Sequence, residues 1–377
     1  MDFERRLNGL RAAMRDNGAD LAVFGTCQSF QYLTGLPPAW REPADMLPGG
    51  CDLFVPLEGE AVLTAPGPLR VEAPVSVRTR EEGQSYGKQI KSVLSHMKVG
   101  TRRIGIGGNM RGPSFVALAE AAPQSEFVEA SRWLDGTRMV KDPDEIERLR
   151  SVARLTDSVM QTAVARISEG LSQNELMLQI EVEARRQGAS HMSFSPFAGY
   201  MKSGAGAPEQ ITNVPPDQGL ERDTAICFDI GFVLDGYASD WGRSVFWGKP
   251  PAATAAAYQA LRESVVEVVA AMRDGAMRAC DVYPAIEKAL DARNYGDQMR
   301  RRLGDSKGIG HSIGVEVHEH PWLGPHGDEV LRENMVLAVE PKLWHPGEYY
   351  LRLEELVLVT RSGGEFLTNF DRDLFVL

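Results

Sequence analysis

Acidic residues are poor strand formers, and like charges facing each other across a hairpin repel. Two stretches of this 377-residue chain break that rule in the same way. The first, TAICFDIGFVLDGYASDWGRSVFW (224–247), reads as a β-hairpin, with Asp235-Gly236 as a strong two-residue turn signal. Asp229 and Asp240 are placed symmetrically about this turn and should face each other, Cβ atoms ~5 Å apart. In the second, MVLAVEPKLW and YYLRLEELVLVT flank HPGE, which puts Glu340 and Glu354 opposite each other about Gly347. Each hairpin is otherwise built largely of Val, Leu, Ile and aromatic residues. A bridging cation removes the repulsion in both, and carboxylate oxygens suit Mn, Fe, Co or Zn.

A third stretch, GIGHSIGVEVHEHP (308–321), sets His311 among glycines, which let backbone approach a site closely. His311 is the ligand candidate. His318, seven residues on, is the acid/base or oxyanion-stabilising candidate, because imidazole titrates near neutrality. The other histidines read as ordinary surface or structural residues, with His191 and His345 as possible pocket-lining groups. Four carboxylates and one histidine thus form the expected metal set: Asp229, Asp240, His311, Glu340 and Glu354.

Around these motifs the chain divides in two. Phe3, Leu7, Leu10 and Met14 recur at helical spacing. Short β-prone runs (21–24, 52–57, 61–65), a helix near 83–98 and the strand RRIGIGG then suggest an α/β domain over 1–135. The glycines at 105, 107, 108 and 112 do not make a dinucleotide-binding loop, because Met110 takes the third glycine position. Over 138–377, two helices followed by β-rich segments occur twice, which predicts an internal duplication. The second domain opens with a helix that Asp142 or Asp144 can cap, with Pro143 in its first turn.

A formal charge of -11 disfavours a nucleic-acid or anionic-membrane binder. Cys27, Cys51, Cys227 and Cys280 suggest no disulfide framework. The charged N-terminal stretch lacks the apolar core of a signal peptide, and no run approaches the ~20 apolar residues of a membrane span. The expectation is a cytoplasmic protein.

The quoted motifs resemble those of the pita-bread metallohydrolases: peptidase family M24, with creatinases, Xaa-Pro aminopeptidases and prolidases. DIGFVLDGYASD matches the family's aspartate strand. GHSIGVEVHEHP matches its histidine segment, MVLAVEP its first glutamate strand, and RLEELVLVT its last motif. FQYLTGLP (30–37) resembles the creatinase/prolidase accessory domain. The resemblance implies an α/β N-terminal domain before an α+β pita-bread domain with a pseudo-twofold duplication. It also implies two divalent metals (Mn, Co, Fe or Zn) on the five residues, Glu340 as proton shuttle, His318 at the oxyanion, Arg352 orienting the carboxylates, and a homodimer.

Two departures stand out. Family peptidases carry a histidine upstream of the first aspartate, where this chain has Thr212 and Asn213. A family threonine after the second aspartate is replaced by Gly242. The leading expectation is an Xaa-Pro-type peptidase acting on a small peptide. The alternative is a metal-dependent hydrolase or lyase acting on a small non-peptide metabolite, an amide or cyclic amidine. A non-catalytic binding protein is the third reading, disfavoured by the complete ligand set.

Overall fold

The computed structural model describes residues 1–36, 51–108, 110–202, 210–373 and 375–377. Pro37 of the FQYLTGLP motif and Ala207–Glu209 of the segment before Asp229 lie outside them. The described residues form two compact units, Met1–Arg138 and Met139–Leu377.

The first unit carries a six-stranded sheet in the order β4-β3-β2-β1-β5-β6. Its strands are β1 (Leu21–Gly25), β2 (Asp52–Pro56), β3 (Ala61–Ala65), β4 (Val75–Thr79), β5 (Arg103–Ile106) and β6 (Glu126–Glu129). Helices α1 (Phe3–Asp16), α2 (Gln28–Thr34), α3 (Tyr86–Met97) and α4 (Gly112–Ala121) complete it, and α5 (Asp135–Met139) ends it. Phe3, Leu7, Leu10 and Met14 are buried on α1, as their spacing predicts. Helices α2 and α4 have no counterpart in the sequence reading. Both are short, and α2 is buried along most of its length, so neither shows an amphipathic stripe.

The second unit carries a helices-then-sheet plan twice, with a third helix in its second half. In its first half, α6 (Pro143–Val164) and α7 (Gln173–Arg186) precede β7 (His191–Met192), β8 (Phe197–Lys202), β9 (Thr224–Ile230), β10 (Phe232–Leu234), β11 (Tyr237–Ala238) and β12 (Trp241–Trp247). In its second half, α8 (Ala252–Ala271), α9 (Val282–Asp291) and α10 (Gly296–Leu303) precede β13 (Gly310–Ser312), β14 (Glu319–Trp322), β15 (Val336–Val339), β16 (Lys342–His345) and β17 (Tyr349–Val359). Both helices of the first pair start with reciprocal capping boxes, Asp142 with Glu145 and Ser172 with Glu175. The main sheet runs β14-β13-β15-β17-β12-β9-β8, so the halves meet where β17 pairs with β12. β18 (Gly364–Phe366) and β19 (Phe375–Val376) add to β17 and β12.

Strand alternation decides which side chains stay clear of the helices. On β9, Ile226, Phe228 and Ile230 pack in one core with Val159, Leu176 and Ile180. On β15 and β17, Leu337, Val339, Leu353 and Val357 pack in another with Leu261, Val265 and Ile286. Asp229, Glu340 and Glu354 are out of phase with these positions, so they project from the other face. At the seam between the halves, Arg243 and Glu355 form a buried ion pair at 2.6 Å. Among the described residues, no helix is long and apolar enough to cross a membrane.

Candidate metal centre

The first hairpin corrects one expectation. Asp235 (φ 49°) and Gly236 (φ 80°) are themselves the two central residues of the turn. This is the primed geometry that suits a hairpin. The register that follows sets Asp229 opposite Gly242, not opposite Asp240. Asp240 lies two residues nearer the turn. It shares the face but sits diagonally. The second hairpin keeps the expected register: Val339 faces Glu355 and Lys342 faces Arg352, so Glu340 falls level with Glu354. Since Gly242 also pairs with Glu354, one row crosses three strands and the link between β15 and β16: Asp229, Gly242, Glu354, Glu340. His311 joins that face from β13, opposite Ala338.

The side chains of this row and its neighbours converge. Ligand atoms of Asp229, Asp240 and Glu354 lie within 4.8 Å of one another. The same limit holds for His311, Glu340 and Glu354, and for Asp240, His311 and His318. Asp240 Oδ1, His311 Nε2 and Glu354 Oε1 are buried with no hydrogen-bond partner. Leaving such atoms bare is costly. A carboxylate and imidazole donor set of this kind fits Mn, Fe, Co or Zn. His311 Nδ1 lies 3.1 Å from the Ser312 carbonyl oxygen, which can only accept, so Nδ1 carries the proton. That leaves the Nε2 lone pair facing Asp240 at 3.4 Å and Glu340 at 4.0 Å.

The acids do not share one electrostatic state. Burial pushes Asp240 up to about 8, against the pull of Arg352. Burial also raises Glu354 well above the carboxylate range. Burial acts the same way on Glu340, but Lys342 and Arg352 overcome it and hold Glu340 down at about 2. Arg352 Nη2 donates to Glu340 at 2.9 Å and Glu354 at 2.7 Å, and Nη1 donates to Asp229. Lys342 Nζ donates to Glu340. Burial and the adjacent His311 lower the pKa of His318. The His318 ring meets His311 edge-on at 4.3 Å and stacks on Trp322 at 5.4 Å.

Two residues take on a meaning the sequence did not show. A Cβ at Gly242 would fall 2.5 Å from Arg352 Nε and 2.8 Å from Glu354 Oε2. The missing side chain is therefore the space in which the guanidinium lies. Gly242→Ala is expected to lower kcat/KM by ~10–100-fold by displacing Arg352 from the carboxylates. An unchanged kcat/KM would contradict this placement. Lys342, which the sequence reading did not single out, points into the acid cluster. Its only sequence signal is a cation between Pro341 and Leu343 in an apolar strand.

The positions where a histidine was expected are structural. Asn213 Oδ1 accepts from Lys202 N at 2.7 Å, and its Nδ2 donates to Lys202 O at 2.7 Å. Thr212 packs its methyl toward Gly199. His191 lies on β7, paired with Val233, and His345 sits near the tip of the β16–β17 hairpin. Neither belongs to the convergent triads.

A duplicated sheet that gathers acids and histidines on one face is the architecture of a metal-dependent hydrolase. The chain belongs to metallopeptidase family M24, which it matches over residues 147–361, and residues 6–140 match the creatinase/prolidase N-terminal domain. A Pyrococcus furiosus Xaa-Pro dipeptidase is 24% identical over 99% of this chain and 100% of its own length. A dipeptidase from Pyrococcus horikoshii superposes with a TM-score of 0.83 at 23% identity, covering 99% of this chain and 100% of its own. An Xaa-Pro dipeptidase from Bacillus anthracis gives 0.83 at 21%, with both chains fully covered. The N-terminal domain and pita-bread catalytic domain are thus both present.

Proposed function

We propose that this chain is a metal-dependent peptidase of the Xaa-Pro type, acting on dipeptides or short peptides. The carrying observation is the convergence on one sheet face of Asp229, Asp240, His311, Glu340 and Glu354, with three buried polar atoms bare. In this reading those five residues hold two divalent ions, drawn from Mn, Co, Fe or Zn. Such a pair supplies a nucleophile from water at neutral pH and Lewis acidity toward a carbonyl.

The chain's own groups do the rest. Lys342 and Arg352 keep Glu340 ionised, the state in which it can take a proton and pass it to the leaving amine. His318, held between His311 and Trp322, donates to the oxygen on which negative charge develops. Arg352 fixes Asp229, Glu340 and Glu354 in one orientation.

One observation favours a second reading, a hydrolase of a small non-peptide amide or cyclic amidine. Both polar atoms of the Asn213 side chain hydrogen-bond to the Lys202 backbone, so this position does not supply the substrate-handling group of family peptidases. The test is a screen of Xaa-Pro dipeptides and longer peptides against protein loaded with Mn or Co. Turnover of dipeptides supports the peptidase. No peptide turnover by metal-loaded protein overturns it in favour of the second reading.

A further inference from the structure

The halves of the second unit are joined by a short ladder. β12 pairs with β17 over two residues, Gly242 with Glu354 and Arg243 with Leu353. Beyond Glu354, β17 pairs with β15, starting with Glu355 opposite Val339. The joint carries the carboxylate that depends most on both halves. Glu354 is common to the triad with Asp229 and Asp240 and to the triad with His311 and Glu340. Its place sets how the aspartates of one half stand against the histidine and glutamate of the other. Two backbone pairs are a thin hold for such a residue.

Behind the joint lies Arg243. Its side chain alternates with Gly242 and is in phase with Trp241 and Val245, so it projects to the helix side of the sheet. Glu355 alternates with Glu354 and projects the same way, in phase with Leu353 and Val357. The two side chains are 1% and 0% exposed. Arg243 Nη1 donates to the Gly242 carbonyl at 2.9 Å and to the Glu354 carbonyl at 2.7 Å, and Nη2 donates to Glu355 Oε1 at 2.6 Å. One guanidinium thus grips both strands at the residue pair that faces the metal ligands. Glu355 is held in turn, by an ion pair with Arg372 at 2.8 Å and by the Thr368 hydroxyl, which donates to it. Stability alone does not call for charges here, since apolar side chains of similar volume are often as stable or more so. Apolar side chains cannot donate to two carbonyls and a carboxylate from one rigid plane, and a lysine offers a single nitrogen for all three.

We propose that Arg243 is a positioning residue of the metal centre. Braced by Glu355, it fixes the Gly242 and Glu354 backbone across the joint. It thereby sets the place of the Glu354 carboxylate, and of the Arg352 guanidinium that occupies the space over Gly242. This rests on the paired-metal reading above and adds to it a residue on the opposite face of the sheet from the ligands.

The test uses the full chain, stripped with chelator and titrated with Mn. The readouts are calorimetry and the electron paramagnetic resonance signal of an exchange-coupled Mn pair. Arg243→Lys keeps a charge beside Glu355 and removes the fork. Arg243→Met/Glu355→Gln removes both charges and leaves an amide oxygen for Arg372 and Thr368. Each variant is expected to bind the second Mn ion ~10–100-fold more weakly than wild type and to lose the coupled-pair signal. Chelator-treated variants should keep the far-ultraviolet circular dichroism of the wild type. A purely stabilising role would lower the melting temperature and leave the second Mn affinity and the signal unchanged. That result in either variant would overturn the proposal. Failure of both variants to fold would also overturn it, since Arg243 would then serve the fold. If the wild type itself takes up fewer than two Mn ions, the paired-metal reading fails and this proposal falls with it.

Discussion

Asp240→Asn is expected to lower kcat by ~10³-fold or more, with bound metal falling from two equivalents to one or fewer. Asp240 is 3% exposed, and it belongs to two of the three ligand triads. The substitution keeps the shape and removes the charge, so its effect on stability should change sign with metal. Without metal, the folded chain holds the Asp240 proton up to about pH 8. The unfolded chain releases it near ~3.9. The folded state therefore binds more protons in this window, and the Asp240 contribution lowers stability as pH rises from ~4 to ~8. In chelator at pH 8, Asp240→Asn should melt at or above the wild-type temperature. In saturating metal it should melt below it. Thermal scans at pH 5 and pH 8, with and without chelator, check both signs.

The second large effect lies under the histidines. Lys141 and Glu319 are an ion pair at 3.0 Å, with side chains 0% and 3% exposed. Lys141 Nζ also donates to Ser312 Oγ at 3.0 Å, and Glu319 Oε1 accepts from Glu316 N at 3.1 Å. Ser312 follows His311, and Glu319 follows His318. One buried ammonium thus ties together the backbone on which both histidines stand. Lys141→Met is expected to cost ~3–5 kcal/mol, because it leaves a buried carboxylate without its cation. For a chain of this size the melting temperature should fall by roughly 4–6 °C. Lys141→Met/Glu319→Leu should recover most of that stability, since removing both charges also removes the desolvation cost. A single variant as stable as wild type would contradict the pairing.

These two cases also mark how far the sequence could be read. The Glu340–Glu354 register followed from a hairpin with its turn at Gly347, and the start of α6 followed from its capping residue Asp142. Local rules suffice there, because a turn fixes register and a cap fixes a helix start. The Asp229–Asp240 pairing missed by two residues, since the turn is Asp235-Gly236 and not centred one residue earlier. Two residues preserve the face, so both aspartates still reach the site. Lys141 and Glu319 meet across 178 residues of sequence, and no local pattern carries such a contact. Gly242 read as the loss of a threonine, whereas in three dimensions it makes room for Arg352. Lys342 had no signal beyond its charge, because the direction of a lone lysine on a strand depends on what lies across the sheet.

The most direct test of the account is to count metal. Protein stripped with chelator, reloaded with Mn or Co and desalted should retain two equivalents per chain by elemental analysis. His311→Ala and Asp240→Asn should each retain one or fewer. Less than one equivalent in the wild type, or unchanged retention in both variants, would contradict the paired-metal centre.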